Sequence, residues 1–130
     1  MSDTLLKQLI ETEQMGVITD VDGVISPIVL DPDAAQVTPQ SRELLTALAE
    51  KLPLVAVISG RAAVDVRDRV GIPNLIYAGN HGFERWQDGQ LIPVPEAASY
   101  RDGLQAVLAA MEPQKIPGMI LEDKGATITI

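Results

Sequence analysis

The sequence predicts an α/β fold built on a parallel sheet, and three observations carry that prediction. Apolar β-prone runs alternate with helical patterns through residues 16–82, in the order strand, helix, strand, helix, strand, with short links. The central run, Leu54-Val55-Ala56-Val57-Ile58, is continuously apolar, as a strand buried on both faces should be. Each of the three strands ends in a polar, Gly-containing turn: Asp20-Val21-Asp22-Gly23, Ser59-Gly60-Arg61 and Gly79-Asn80-His81-Gly82. In a parallel sheet with right-handed crossovers these turns gather at one edge. Open α/β sheets bind their ligands at that edge.

The elements follow in chain order. Leu5, Leu6, Leu9 and Ile10 share one face at helical spacing, which predicts an amphipathic helix over residues 3–14. Gly16-Val17-Ile18-Thr19 is a short strand. Residues 24–38 contain Pro27, Asp31, Pro32 and Asp33 and read as a loop. Thr38-Pro39 is an N-cap followed by Pro at the first helical position, and Leu44, Leu45 and Leu48 give helix 40–51 its apolar face. After the central strand, Val64, Val66 and Val70 support a second helix, and Leu75–Ala78 a third strand. Phe83–Trp86 and Leu91–Val94 flank Asp88-Gly89, a hairpin signal. Tyr100, Leu104, Val107, Leu108 and Met111 make an amphipathic helix over 96–111. Met119–Glu122 and Ala126–Ile130 flank Asp123-Lys124-Gly125 as a second hairpin. The final run alternates apolar and polar to Ile130, so the chain is expected to stop within a sheet.

Composition excludes several classes. With 10 basic and 18 acidic residues in 130, the net charge is −8. Nucleic acid and anionic membranes both need a positive field, so neither is an expected partner. The absence of Cys excludes disulfide scaffolds, thiolate metal sites and Cys nucleophiles, and a single His excludes multi-histidine sites. No signal peptide or membrane-length apolar run is present, which makes the cytoplasm the expected compartment. Carboxylate, hydroxyl and backbone chemistry are left.

Asp20 and Asp22 stand two apart, and on an extended segment such residues share a face. Two close carboxylates repel, so a cation or a shared proton is expected between them. Oxygen ligands alone suit Mg²⁺, which is held by one or two carboxylates with phosphate and water. A carboxylate can also attack phosphorus directly. Gly23 lets backbone N–H groups approach an anion. Ser59 offers a hydroxyl, Gly60 an unobstructed turn, and Arg61, if it points inward, a bidentate fork. Each also has a plainer reading. Asp and Gly suit turns, Ser-Gly-Arg suits a strand exit, His81 suits a turn, and Glu122 with Lys124 suits a solvated ion pair.

These motifs, taken together, resemble the haloacid dehalogenase-like (HAD) phosphohydrolases. The agreement extends to one branch. Asp22-Gly23-Val24-Ile25-Ser26-Pro27-Ile28-Val29, Asp31-Pro32-Asp33, Val57-Ile58-Ser59-Gly60-Arg61, Tyr77-Ala78-Gly79-Asn80-His81-Gly82-Phe83-Glu84 and Glu122-Asp123-Lys124-Gly125 resemble trehalose-6-phosphate phosphatases. The likeness runs from about Met15 to Ile130.

The resemblance implies a HAD-like Rossmannoid parallel sheet with helices on both faces, followed by the start of an α+β cap. Residues 1–95 would form the N-terminal half of the core and 96–130 the beginning of the cap. Asp20 would be the nucleophile and Asp22 the acid and then the base. Mg²⁺ would sit on the Asp20 carboxylate and the Asp22 backbone carbonyl. Ser59, with Gly60 and Arg61, would hold the phosphoryl group of a sugar phosphate, and His81, Glu122 and Lys124 would contact substrate. Two departures stand out. Val24 replaces the family's usual Thr. The family's later Lys and acidic pair have no counterpart, so the chain is expected to be about the first half of a two-domain enzyme. Two other readings remain: a non-catalytic phosphate- or metal-binding module, and a signalling receiver domain. A receiver needs an Asp at the end of its third strand, where this chain has Tyr77-Ala78-Gly79.

Overall fold

The structure is a computed structural model that describes residues 7–8, 11–12 and 14–130. Most of the expected helix over residues 3–14 lies outside the described residues. The described chain begins in earnest at strand β1 (Gly16–Asp20). Strands β2 (Leu54–Ile58) and β3 (Ile76–Gly79) follow in parallel, in the order expected. Strands β4 (Glu84–Gln87) and β5 (Gln90–Pro93) extend the same sheet antiparallel, in the spatial order β1-β2-β3-β4-β5. The sheet is therefore mixed. The Asp88-Gly89 turn has φ of 51° and 77° at its two residues, the left-handed pair that a two-residue hairpin needs.

Helix α1 (Pro39–Lys51) starts where the sequence says, with the Thr38 hydroxyl accepting the Ser41 N–H at 3.1 Å. Helix α2 (Ala63–Val70) ends on Gly71, whose φ of 66° closes the last turn. Arg42 of α1 reaches across to donate to the Val70 carbonyl at 2.6 Å, which ties the two helices together.

Both helices pack on one face of the sheet. Val55 and Val57 of β2 and Tyr77 of β3 share that face with Leu45 of α1 and with Val66 and Val70 of α2. Val57, Val66 and Val70 are fully buried. Burying each such side chain is worth about 1.5–3 kcal/mol, enough to hold two crossovers on a three-stranded core. The resemblance implies helices on both faces; α1 and α2 cover this one. On the other face Ile18 is 65% exposed. The expectation that all of β2 is buried is corrected at its ends: Leu54 and Ile58 are partly exposed, and only Val55–Val57 are enclosed.

Beyond the sheet, the expected helix over 96–111 is broken into α3 (Pro95–Ala98) and α4 (Arg101–Met111). The Ser99 hydroxyl donates to the Glu96 carbonyl at 2.7 Å, and this local bond competes with helix continuation. The last hairpin is shorter than expected. Strands β6 (Glu122–Asp123) and β7 (Ile128–Thr129) have two residues each. The Asp123 carboxylate accepts the Gly125 N–H at 2.8 Å and turns the chain early. Among the described residues, no helix is long and apolar enough to cross a membrane.

Candidate active site

Register assembles the site. Asp20 pairs with Ile58, and Ile58 pairs with Ala78. The three polar turns therefore leave the sheet side by side. Ser59 lies directly beyond the partner of Asp20, and its N–H donates to the Ala78 carbonyl at 2.9 Å. The Asn80 N–H donates to the Arg61 carbonyl at 2.8 Å, and the His81 N–H to the Ser59 carbonyl at 3.1 Å. The second and third turns are thus cross-linked through their backbones.

Asp20 is exposed at the end of β1, and its Oδ1 accepts the Val21 N–H at 2.7 Å. Asp22 faces Arg61 fork to fork: Nε donates to Oδ2 at 2.9 Å and an Nη to Oδ1 at 3.0 Å. The expected inward fork of Arg61 is present, but it grips Asp22. Hydrogen bonds from Arg61 hold the Asp22 carboxyl below the usual carboxylate range, against some desolvation, and the fields of Arg61 and Arg69 add to the effect. Asp65 continues the chain of charges, meeting Arg61 at 3.5 Å and Arg69 at 2.9 Å.

Replacing Arg61 by Ala is expected to move the Asp22 titration up toward the ordinary carboxylate value. The sign follows from linkage. A lowered folded pKa means that the pair stabilises the fold above the unfolded carboxylate range. That contribution is lost as pH falls through the lowered value. An NMR titration of the Asp22 carboxyl in both proteins checks this; an unchanged midpoint in the variant would contradict it.

Gly23 has a different part from the one expected. Its φ of 82° sets the turn, but its N–H donates to the Ser26 carbonyl at 2.8 Å. The N–H groups of Val24, Ile25 and Ser26 all turn to the Val21 carbonyl, so these amides serve the loop rather than an anion. Ser59 is buried, and its Oγ accepts the Arg61 N–H at 3.2 Å. Its hydroxyl proton has no acceptor among the described residues. Gly60 leaves room for His81: a Cβ there would come within 2.7 Å of the imidazole Cε1. His81 itself is exposed, in a left-handed backbone at φ 58°. Lys124 arrives from the distant hairpin, with Nζ 3.4 Å from the Gly60 carbonyl and 3.4 Å from Glu122. Glu122 is tied to this edge through its pair with Lys124.

Two residues that sequence reasoning left without a role prove central. Asn80 is fully buried and bonds to both arms of the turn between β6 and β7. Glu84 is buried in β4, and its carboxylate accepts the Ala63 N–H at 2.7 Å. It caps α2 from another element, since Ala62 at the N-cap has no side chain to do so. The available signal was only an acid next to a Gly-rich turn. A cavity of about 710 Å³ lies at the opposite ends of β2 and β3, between Pro53, Leu54, Asn74 and Asp88. Of its charged members, Arg67 and Asp68 pair with each other at 2.6 Å, and Asp88 sits in the β4–β5 turn.

The trehalose-phosphatase family model matches residues 18–130. The chain belongs to the trehalose-phosphatase family. It is 42% identical over 114 residues to the trehalose-phosphate phosphatase of Mycobacterium bovis, covering 85% of this chain and 29% of that protein. The chain thus spans under a third of this curated family member. Its fold matches the C-terminal domain of Candida albicans trehalose-6-phosphate phosphatase with a TM-score of 0.72 at 23% identity, over 92% of this chain and 43% of that one. A haloacid dehalogenase-like hydrolase of Bacillus subtilis matches at a TM-score of 0.50 and 22% identity, over 74% of this chain and 34% of that one. The fold is therefore HAD-like, as the trehalose-phosphatase motifs imply.

Proposed function

We propose that this chain carries the nucleophile-bearing half of a Mg²⁺-dependent phosphatase that hydrolyses trehalose 6-phosphate to trehalose and phosphate. The observation that carries the reading is the register that pairs Asp20 with Ile58 and so brings Ser59 out of the sheet next to the Asp20 turn, with Asp22 two residues on. Asp20 attacks phosphorus, an O–P bond forms, and the bond to the sugar oxygen breaks. Asp22 gives that oxygen its proton. Asp22 then takes a proton from water, which attacks the aspartyl-phosphate, releasing phosphate and restoring Asp20.

The Asp22–Arg61 pair bears on this sequence. Paired, Asp22 is ionised and suited to the base role; the acid role requires Arg61 to turn from Asp22 to the incoming phosphate. Ser59 donates its hydroxyl to a phosphoryl oxygen, and Lys124 and Glu122 meet the sugar hydroxyls. His81 closes the site over Gly60.

Asp20 has one carboxylate oxygen with no hydrogen bond among the described residues, as has the Asp22 carbonyl. Among the described residues, no group of three or more acidic, His or Cys side chains is arranged to hold a metal ion. Two protein oxygens fit Mg²⁺, which keeps several waters. The Asp20 carboxylate and the Asp22 carbonyl would hold it, and it would neutralise phosphoryl charge. The core–cap boundary near residue 95 and a cytoplasmic location belong to the same proposal.

Phosphate release from trehalose 6-phosphate with Mg²⁺ tests the reading, measured for this chain and for the same residues within a family-length protein. Turnover is expected from the family-length protein and negligible turnover from the 130 residues alone. No release from the family-length protein would favour the non-catalytic phosphate-binding alternative. The receiver alternative has little left to support it, because β3 ends in Gly79 where a phosphoacceptor carboxylate is needed.

A further inference from the structure

We propose that Asn80 is the positioning residue that latches the β6–β7 hairpin to the catalytic edge and so sets where Lys124 stands. A hairpin of two-residue strands cannot order itself in water. None of its strand residues is buried. It is nevertheless placed so that Lys124 Nζ meets the Gly60 carbonyl. The side chain that reaches it from the core is Asn80. Its Nδ2 donates to the Lys124 carbonyl at 3.0 Å, and its Oδ1 accepts the Thr127 hydroxyl at 2.9 Å. One carboxamide thus holds both ends of the turn that carries Lys124.

The chemistry suits Asn. The site asks for one donor and one acceptor on a short side chain, which Asp cannot supply when ionised. The backbone suits it too. Asn80 and His81 take φ of 50° and 58°, and Asn tolerates the left-handed region better than most residues. That geometry lets the Asn80 N–H bond to the Arg61 carbonyl while its side chain faces the hairpin. The same residue therefore joins the Ser59-Gly60-Arg61 turn to Lys124, which lies 44 residues further along the chain. On the α4 side, Gln105 donates to Asp123 at 2.8 Å, so the latch also carries that helix.

The latch rests on the proposed function only for what Lys124 is held to do; its existence is tested without turnover. Hydrogen exchange is followed in the whole chain at the Lys124 and Ala126 amides, which bond within the turn. Thr127→Val is expected to speed both about fivefold, the scale of one net hydrogen bond. Thr127→Ser is expected to restore protection, and Asn80→Ala to exceed Thr127→Val. Amides of β2 and β3 should keep their rates in the Thr127 variants. Unchanged hairpin rates in Thr127→Val, or no rescue by Ser, would overturn the latch. Equal acceleration in β2 and β3 would do so as well. If Asn80→Ala does not fold, the Thr127 pair still decides. In a family-length protein, Thr127→Val should raise KM for trehalose 6-phosphate by more than it lowers kcat. A parent protein with no turnover would count against the function and leave the exchange result to judge the latch.

Discussion

Gly79→Ala is expected to destabilise the protein severely. A Cβ at residue 79 would stand 2.1 Å from the Ala63 nitrogen and 2.6 Å from its Cα. Both are backbone atoms at the start of α2, so no side chain can swing aside. That nitrogen is also the donor that Glu84 caps at 2.7 Å, so moving it breaks the cap. Overpacking a core usually costs about 1–3 kcal/mol, because side chains adjust. Here the helix must shift as a body away from the fully buried contacts of Val66 and Val70. A cost above about 4 kcal/mol is expected, set against the 5–15 kcal/mol that typically holds a domain. Urea unfolding followed by circular dichroism measures it. Gly103→Ala is the control: it sits in α4 with nothing within 4 Å of its added Cβ, and should be neutral or slightly stabilising. Equal midpoints for the two variants would show that α2 can move without penalty.

In a family-length protein, Asp20→Asn is expected to lower phosphate release by at least about 1000-fold, the scale of losing a covalent nucleophile. The replacement is isosteric, and its oxygen can still accept the Val21 N–H that Asp20 accepts at 2.7 Å. Asp20 is exposed, so stability should stay within about 0.5 kcal/mol. The amide has no charge with which to attack phosphorus. In a family-length protein, acid quenching during turnover should yield phosphate covalently attached to the peptide containing Asp20, and none in the variant. Asp22→Asn should instead slow both steps by about 10²–10⁴-fold, the usual share of general acid–base catalysis. Full turnover with Asn at residue 20 would end the aspartyl-phosphate reading.

The two predictions differ in how much of each was readable in advance. Asp20 was legible from four residues at a strand end. Its proposed role rests on two carboxylates beside a turn, a pattern that also suits a plain turn. Gly79 was legible only as a turn residue. Its close contact with Ala63 depends on α2 crossing β3 at a set height, which no local pattern encodes. Glu84 is similar: a Glu in a strand reads as a surface residue until the helix end above it is known.

The strands, α1, α2 and the Asp88-Gly89 hairpin follow from patterns that span a few residues. Propensity, capping and turn chemistry act at that range, so sequence alone determined the element order, the Thr38 cap and the three polar turns. Membership of the trehalose-phosphatase family followed from the same motifs in order. Tertiary structure decided the pairings. Arg61 closes on Asp22 across 39 residues, Asn80 on Lys124 across 44 and Glu84 on Ala63 across 21. It also decided that Gly23 spends its amide on its own loop, and that β4 and β5 join the main sheet. The physical reason is register. A strand's pattern says which side chains face the core. Which ones meet across the sheet depends on how far each neighbour slides before its apolar residues interlock.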